Sequence, residues 1–288
     1  MAKNLLIAVM CVVGILQAQS PAARPAFEVA TIKPSADSCN GPGRGGPVGP
    51  GRLSMACTTV QTLIQLAFGS FANGSGPGPD PLSIHVIGAP KWLESDHYDL
   101  VAKAENDAGL LQMAGPMLQT LLEDRLKLKI HRETRQLPVY VLTVAKSGSR
   151  LLPIQEGSCS PIDLNHLPTG PPAPGQALNC GSQRTMRKGV DMTVNAYGMS
   201  VADFTGQILS GRLDRPVLDK TGLSGLFDFH LQYSVDDATA PGAAAPAADP
   251  AGASIFTALQ EQLGLKVSPD TGPVEVLVVD HVEKPSEN

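Results

Sequence analysis

The sequence predicts an α+β protein made of two tandem related two-layer modules, each with the element order β-α-β-β-α-β-β, joined by long Gly/Pro-rich loops. Three observations predict this fold. Apolar residues recur at helical spacing in segments 117–126 and 254–263, and an alternating strand-like segment follows each. The segments upstream of both helices have the same order of elements. The 29 glycines and 25 prolines among 288 residues indicate long irregular connections.

The first module is expected at 52–146. A strand at 53–55 opens it, and Thr59 begins a helix because its hydroxyl can accept hydrogen bonds from free N–H groups of the first turn. The remaining predicted elements are strands at 86–87 and 98–101, a helix at 117–126, and strands at 128–130 and 139–144.

The second module is expected at 190–288, with Ser200 as the equivalent helix N-cap. Its predicted elements are strands at 193–195, 217–218 and 227–231, a helix at 254–263, and strands at 265–267 and 274–279. Residues 236–253 repeat Ala, Pro and Gly between the β and α elements. This composition cannot bury a core and predicts a mobile insertion.

Two further segments lie outside the modules. Residues 19–51 contain a predicted strand at 27–32, which Pro34 ends, and a Gly/Pro-rich loop. Residues 147–189 are rich in proline and glycine and are predicted to be a connector between the modules.

The first eighteen residues have the features of a signal peptide. Lys3 supplies a positive charge, and the apolar run from Leu5 to Leu16 is too short to span a bilayer comfortably. Cleavage near Ala18 would give an exported protein, periplasmic or secreted, with no membrane span. The alternative is a lipoprotein signal in which Cys11 carries the lipid.

Export favours disulfides for the four cysteines that remain without Cys11. Of the three possible pairings, Cys39–Cys57 and Cys159–Cys180 are favoured because each closes a short loop of about twenty residues. A zinc site is the alternative, but the sequence has no CxxC or HxxxH spacing.

Composition and motifs exclude several functions. The net charge is −5, whereas general nucleic-acid binding needs a basic surface. The run 41–51 lacks the phosphate-loop pattern, and no GxSxG nucleophile motif occurs. Glu94, Asp96 and Asp99 could act as an acid–base pair only if they converged in a cleft, and a solvated turn is the alternative. We therefore expect no catalytic residue, metal or cofactor.

Three residues are predicted to contact a partner. Trp92, the single tryptophan, is either an exposed anchor or packs over the core. Tyr140 and Val141 belong to strand 139–144, a predicted sheet edge because Pro138 removes a backbone donor. A nearby basic stretch could meet an acidic partner, or it could be solvated charge on a strand edge. Its residues are Lys127, Lys129, His131, Arg132 and Arg135.

Four strings resemble a known family: FEVATIKP at 27–34, LLEDRLKL with HRET at 121–134, RPVLDKTGL with FDF at 215–229, and GPVEVL with HVEKP at 272–285. They resemble a family of uncharacterised exported proteins typical of acidobacterial soil bacteria, known only as a domain of unknown function. The resemblance covers the mature chain and implies no established activity. Relatives that carry this domain beside membrane sensor-peptidase modules imply a sensory or interaction role.

A weaker resemblance is to the short N-terminal modules of secretins and TonB-dependent transducers, with 219–223 at the position of their glycine turn. Such modules are periplasmic protein-contact domains, and the likeness is one of fold.

We therefore expect a non-enzymatic binding module whose partner is an envelope or extracellular protein. The alternatives are an extracytoplasmic hydrolase with a site between the modules and a lectin-like ligand-binding domain. The sequence names neither the partner nor the oligomeric state.

Overall fold

The computed structural model describes residues 24–36, 39, 43–74, 80–155, 157–163, 178–235 and 253–285. The predicted signal peptide and nearly all of the predicted insertion at 236–253 lie outside these residues. The described chain is an α+β fold, as the sequence predicts, and it contains three β-sheets and short helices. Within these ranges, no helix combines the length and apolarity needed to cross a membrane.

The strands in chain order are β1 (Val29–Pro34), β2 (Arg44–Gly49), β3 (Arg52–Thr59), β4 (Val86–Ile87), β5 (His97–Lys103), β6 (Lys129–Val144), β7 (Ser182–Lys188), β8 (Asp191–Met199), β9 (Val217–Asp219), β10 (Phe227–Ser234) and β11 (Leu265–His281). The helices are α1 (Val60–Ile64), α2 (Trp92–Ser95), α3 (Leu110–Gln112), α4 (Leu118–Leu126), α5 (Val201–Asp203) and α6 (Ile255–Ala258). Wider π-helical turns continue four of them, at Gln65–Ser70, Met113–Met117, Phe204–Leu209 and Leu259–Leu263.

Two of the sheets are antiparallel, and each supports its own apolar core. The first has the strand order β1-β5-β3-β2 and buries Leu53 and Leu100 against residues such as Leu122 of α4. The second has the order β10-β8-β7 and buries residues such as Val194 against Phe204. Each core therefore consists of one sheet face covered by helices, which is the two-layer arrangement that short amphipathic helices need.

The third sheet joins the two cores. Its order is β4-β11-β6-β9, and β6 and β11 pair antiparallel from Val144 and Leu265 to Lys129 and His281. The sequence predicts two strands and a turn in each of these segments, and that prediction is wrong. The charged residues in the middle of β6 resemble a turn, but continuous pairing with β11 keeps this backbone extended.

Each long strand contributes one end to the first core and the other end to the second core. Ile130 of β6 packs in the first core, whereas Leu142 at the other end of the same strand packs in the second. The opposite holds for β11, where Leu265 lies in the second core and Leu277 in the first. The two halves of the chain are therefore interlocked, because each core needs a segment of both long strands.

The predicted helix starts are confirmed. The hydroxyl of Thr59 accepts from the N–H of Thr62 at 3.2 Å, and the hydroxyl of Ser200 accepts from the N–H of Asp203 at 3.0 Å. The predicted helix at 117–126 is present as α4, and the one at 254–263 starts with Ser254 as its cap and becomes π-helical after Ala258.

Strands β2 and β7 are absent from the sequence prediction, which gives both segments as loops. Three of the six residues of β2 are glycine, and Gly45 and Gly46 have φ of 132° and 157°. Every residue of β7 after Ser182 is exposed, so the strand has no apolar alternation to reveal it. Both strands form hairpins with the strand that follows, and that tertiary pairing defines them.

Cleavage of the connector tests the interlock. The test inserts a protease site between residues 164 and 177 of a Cys159→Ser/Cys180→Ser variant and adds the protease to the native protein. We expect the two pieces to co-elute in native size-exclusion chromatography, because β6 and β11 pair across the cut. The uncut variant is the control, and separation of the pieces in native buffer would contradict the interlock.

Candidate functional site

The predicted sheet edge at 139–144 is wrong, because β9 covers it. Tyr140, Val141 and Leu142 pair in parallel with Val217–Asp219, and the N–H of Tyr140 donates to the carbonyl of Pro216 at 2.8 Å. The Tyr140 ring also packs against Phe256, with 5.5 Å between ring centroids. Tyr140 and Val141 are therefore held inside the third sheet. Their contact with a partner stays a prediction.

Trp92 lies in α2 and is half-buried against the first core. The ammonium of Lys284 lies 5.5 Å from its ring centroid, and the same ammonium donates to Asp96 at 2.7 Å. This hydrogen bond is the largest cause of the lowered pKa of Asp96. The packing matches the expectation that Trp92 covers the core, and partner contact at this residue stays a prediction.

One half of β6 is open along its outer side. The structure describes no strand beside Lys129–Leu137 except β11, which lies on the inner side. The N–H of Tyr140 and the carbonyl of Leu142 bond toward β9, so even-numbered residues of β6 direct their backbone groups outward. By this alternation, outward N–H and C=O groups lie at four open positions. They are Ile130, Arg132, Thr134 and Gln136.

A groove of about 620 Å³ lies at this end of β6. It is lined by Phe68, Glu123, Leu128, Lys129, Ile130, His131, Arg132, Leu277 and Asp280. His131 Nδ1 lies 2.9 Å from Asp280 Oδ2, but the lining holds no serine, threonine or cysteine that a histidine could activate as a nucleophile.

The predicted basic stretch is partly neutralised. Arg132 pairs with Glu275 and donates to the carbonyl of Phe68, and Arg135 pairs with Glu133 at 3.0 Å. Of the three lysine and arginine residues on β6, Arg132 and Arg135 therefore have a carboxylate partner. The one carboxylate of the strand, Glu133, lies on the same face as Arg135.

Strand β7 has an open outer edge along its whole length. Only β8 pairs with it among the described strands, and its exposed residues run from Gln183 to Lys188. In the neighbouring strand β10, the N–H groups of Gln232 and Ser234 bond away from β8. The odd-numbered residues of β10 therefore bond to the even-numbered residues of β8, and the odd-numbered residues of β8 bond to the even-numbered residues of β7. The outward N–H and C=O groups of β7 thus belong to Gln183, Thr185 and Arg187.

The charges of β7 differ from those of β6. Arg184, Arg187 and Lys188 have no carboxylate partner among the ion pairs of the described chain. Met186 lies between them with 46% of its surface exposed. The strand therefore offers backbone groups and unneutralised positive charge on a chain whose net charge is −5.

Strands β2, β10 and β11 have protected edges. The side-chain amide of Gln262 caps β10 by accepting from the N–H of Gln232 at 2.9 Å and donating to its carbonyl at 2.7 Å. Pro47 lies in β2, and Pro269 and Pro273 lie in β11. A proline offers no N–H to an incoming strand, so these edges resist strand addition.

Both predicted disulfides are confirmed, with Cα–Cα distances of 5.4 Å for Cys39–Cys57 and 5.1 Å for Cys159–Cys180. Each disulfide lies beside a β-bulge. In both halves of the chain, a helix with a side-chain N-cap follows the bulge. Cys57 has φ of 52° in the bulge of β3. Gly198 has φ of 54° in β8, where a Cβ would lie 2.4 Å from Cys159 Sγ, so this position needs glycine.

An aspartate holds each bulge. Asp99 Oδ1 accepts from the N–H of Cys57 at 2.9 Å and from Ser35 Oγ at 2.7 Å, and these hydrogen bonds lower the pKa of Asp99. In the second sheet, Asp228 Oδ1 accepts from the N–H of Gly198 at 2.8 Å. Asp99 and Asp96 therefore accept hydrogen bonds from different groups, Cys57 and Ser35 for Asp99 and Lys284 for Asp96. In the described part of the chain, no three His, Cys, Asp or Glu residues form a group able to hold a metal.

Comparison with known proteins gives one family. A family described as "Protein of unknown function (DUF3738)" matches residues 61–282. No curated protein and no solved structure matches the chain.

Acid titration tests the bulge aspartate. We expect Asp99→Asn to lower the free energy of unfolding at neutral pH by about 1 kcal/mol, because a charged acceptor of two hydrogen bonds is lost. The folded pKa of Asp99 is lowered, so its contribution is present above the unfolded pKa of about 4 and is lost as pH falls through the folded pKa.

Denaturant unfolding at several pH values between 2 and 7 measures this effect. The stability of Asp99→Asn should approach that of the parent at the acid end of the series. Asp107→Asn changes an exposed aspartate of the same half and is the matched control. A constant difference between Asp99→Asn and the parent across the series would contradict the role of the Asp99 charge.

Proposed function

The chain belongs to the DUF3738 family, and we propose that it is an exported binding module that captures an extended acidic segment of an envelope protein along β7. The observation that carries the proposal is the unpaired, cationic edge of this strand. No described strand covers the edge, and no described carboxylate pairs with its three cations.

Export is supported by the disulfides. Disulfides persist in oxidising compartments and are rare in the cytosol. The apolar run after Lys3 has the length of a signal sequence rather than of a membrane span. Together these features support a protein that works outside the cytoplasm, where an envelope partner is accessible.

The proposed origin of the two halves is one duplicated module. Three local features occur in the same order in both halves: a bulge at Cys57 or Gly198, an N-cap two residues later, and a left-handed helix end at Lys127 or Gly264. Such features depend on backbone geometry at single positions. Their shared order supports a common module more strongly than similar helix lengths would.

Strand addition is the binding mode that fits β7. An extended segment beside β7 would exchange hydrogen bonds with the N–H and C=O groups of Gln183, Thr185 and Arg187. These bonds give affinity without requiring one particular side chain. The open edge of β7 offers these groups along its whole length, which supports this binding mode.

The cations give the segment its expected chemistry. Arg184 and Lys188 share the face of β7 that also carries Met186, because side chains alternate along a strand. An acidic side chain of the bound segment would meet these cations, and an apolar one would cover Met186. Acidic segments are therefore expected to associate faster and more strongly than neutral ones, with a strong dependence on salt.

A hydrolase remains the second candidate, because His131 and Asp280 lie 2.9 Å apart in the groove beside β6. A histidine oriented by a carboxylate can activate water. The two candidates use different strands, so their variants separate them. A hydrolytic activity that His131→Ala abolishes and Arg184→Glu leaves unchanged would favour the hydrolase.

Charge reversal on β7 tests the proposed function. The probe is a synthetic ten-residue peptide that alternates glutamate and valine, with binding measured by fluorescence anisotropy. We expect Arg184→Glu/Lys188→Glu to weaken binding by about tenfold or more, because two attractive contacts become repulsive. Thr185→Pro should also weaken binding, since it removes an outward N–H.

Lys266→Glu is the matched control, because it reverses an exposed lysine on a different strand. A lysine–valine peptide of the same length is the control for charge. Circular dichroism checks that each variant is folded. Equal affinity of the parent and the β7 variants for the acidic peptide would exclude β7 as its site.

A further inference from the structure

The open half of β6 has a counterpart in β11. Both strands follow a helix that ends at a left-handed residue, Lys127 before β6 and Gly264 before β11. Counting from these residues, Arg132 corresponds to Pro269 and Gln136 corresponds to Pro273. The two open half-strands are therefore equivalent in position but differ in what they offer to an incoming strand.

The prolines of β11 lie at outward positions. The N–H of Leu277 donates to the carbonyl of His85, away from β6, so odd-numbered residues of β11 direct their backbone groups outward. Pro269 and Pro273 thus remove two outward donors from this half-strand. At the equivalent positions β6 keeps the N–H groups of Arg132 and Gln136. One of the two equivalent edges is protected, and the other keeps a complete set of donors and acceptors.

The charge pattern of β6 is complementary to itself. In an antiparallel pair related by a two-fold axis at Thr134, Arg132 faces Gln136 of the second copy and Glu133 faces Arg135 of the second copy. All backbone groups used in this register are outward ones. Moving the axis by one residue places Glu133 opposite Glu133, or Arg135 opposite Arg135. The charges therefore select one register.

We propose that two copies of this chain pair antiparallel along Arg132–Gln136 of β6 and join their third sheets into one. The pairing ends at Pro138, beyond which β9 occupies the edge. Side chains of Glu133 and Arg135, which pair within one strand at 3.0 Å, then also pair across the interface. Thr134 meets Thr134 of the second copy, a favourable cross-strand pair.

The oligomeric state of the full-length mature protein tests this proposal. Sedimentation velocity over a range of concentrations should show a reversible monomer–dimer equilibrium. Gln136→Pro copies the proline of β11 into β6 and should give a monomer, because it removes an outward N–H at two symmetric places. The equivalent Pro273 shows that this kind of strand accommodates proline at that position.

A charge swap supplies the second arm. Arg135→Glu should weaken dimerisation by about thirtyfold, since it places Glu133 opposite a glutamate at two symmetric contacts. The double variant Glu133→Arg/Arg135→Glu restores opposite charges and should restore the dimer. Lys266→Glu on β11 is the matched control and should leave dimerisation unchanged.

The outcomes decide between pairing along β6 and other states. A parent protein that stays monomeric at the highest concentration overturns the proposal. So does a dimer that both Gln136→Pro and Arg135→Glu leave intact, which would place the interface elsewhere. The monomeric variants should bind the acidic peptide with the affinity of the parent, because the peptide is proposed to bind β7. Loss of the dimer and loss of peptide binding are therefore separate results, and each one tests a different proposal.

Discussion

The antiparallel pairing of β6 with β11 is the interaction on which the rest of the structure depends. It runs the full length of both strands and places opposite ends of each strand in different cores. The short strands β4 and β9 pair only with these two long strands, so they depend on the same pairing. The first and second cores are consequently two ends of one assembly, although each has its own sheet and helices.

Within each half, a bulge sets the direction of the first helix. At Cys57 and Gly198 the backbone turns left-handed, and an aspartate from the adjacent strand accepts the N–H of the turned residue. The strand ends within a few residues, and a Thr or Ser cap starts the helix over the sheet. The disulfides lie at these same two places, where they restrict the unfolded chain beside the strands that build the cores.

Local patterns could be predicted from the sequence, and pairing partners could not. The spacing around Leu118 and Leu122 predicts α4, and short loop closure predicts both disulfides, because each depends on nearby residues. Strand β7 has no apolar alternation, so only its pairing with β8 reveals it. The edge prediction at Tyr140 failed for the same reason, since β9 arrives from far along the chain.

Edge protection links the fold to its interactions. An uncovered strand invites aggregation, and this chain counters it with prolines in β2 and β11 and with the Gln262 amide on β10. Short length limits β4 and β9. Against that background, β7 and the first half of β6 keep outward donors, and each bears charges that restrict what can pair with it. In the proposed interactions, the cations of β7 select an acidic strand, whereas Glu133 and Arg135 of β6 select a second copy of the chain in one register. An edge restricted by charge rather than closed by proline excludes most strands and still admits a specific one.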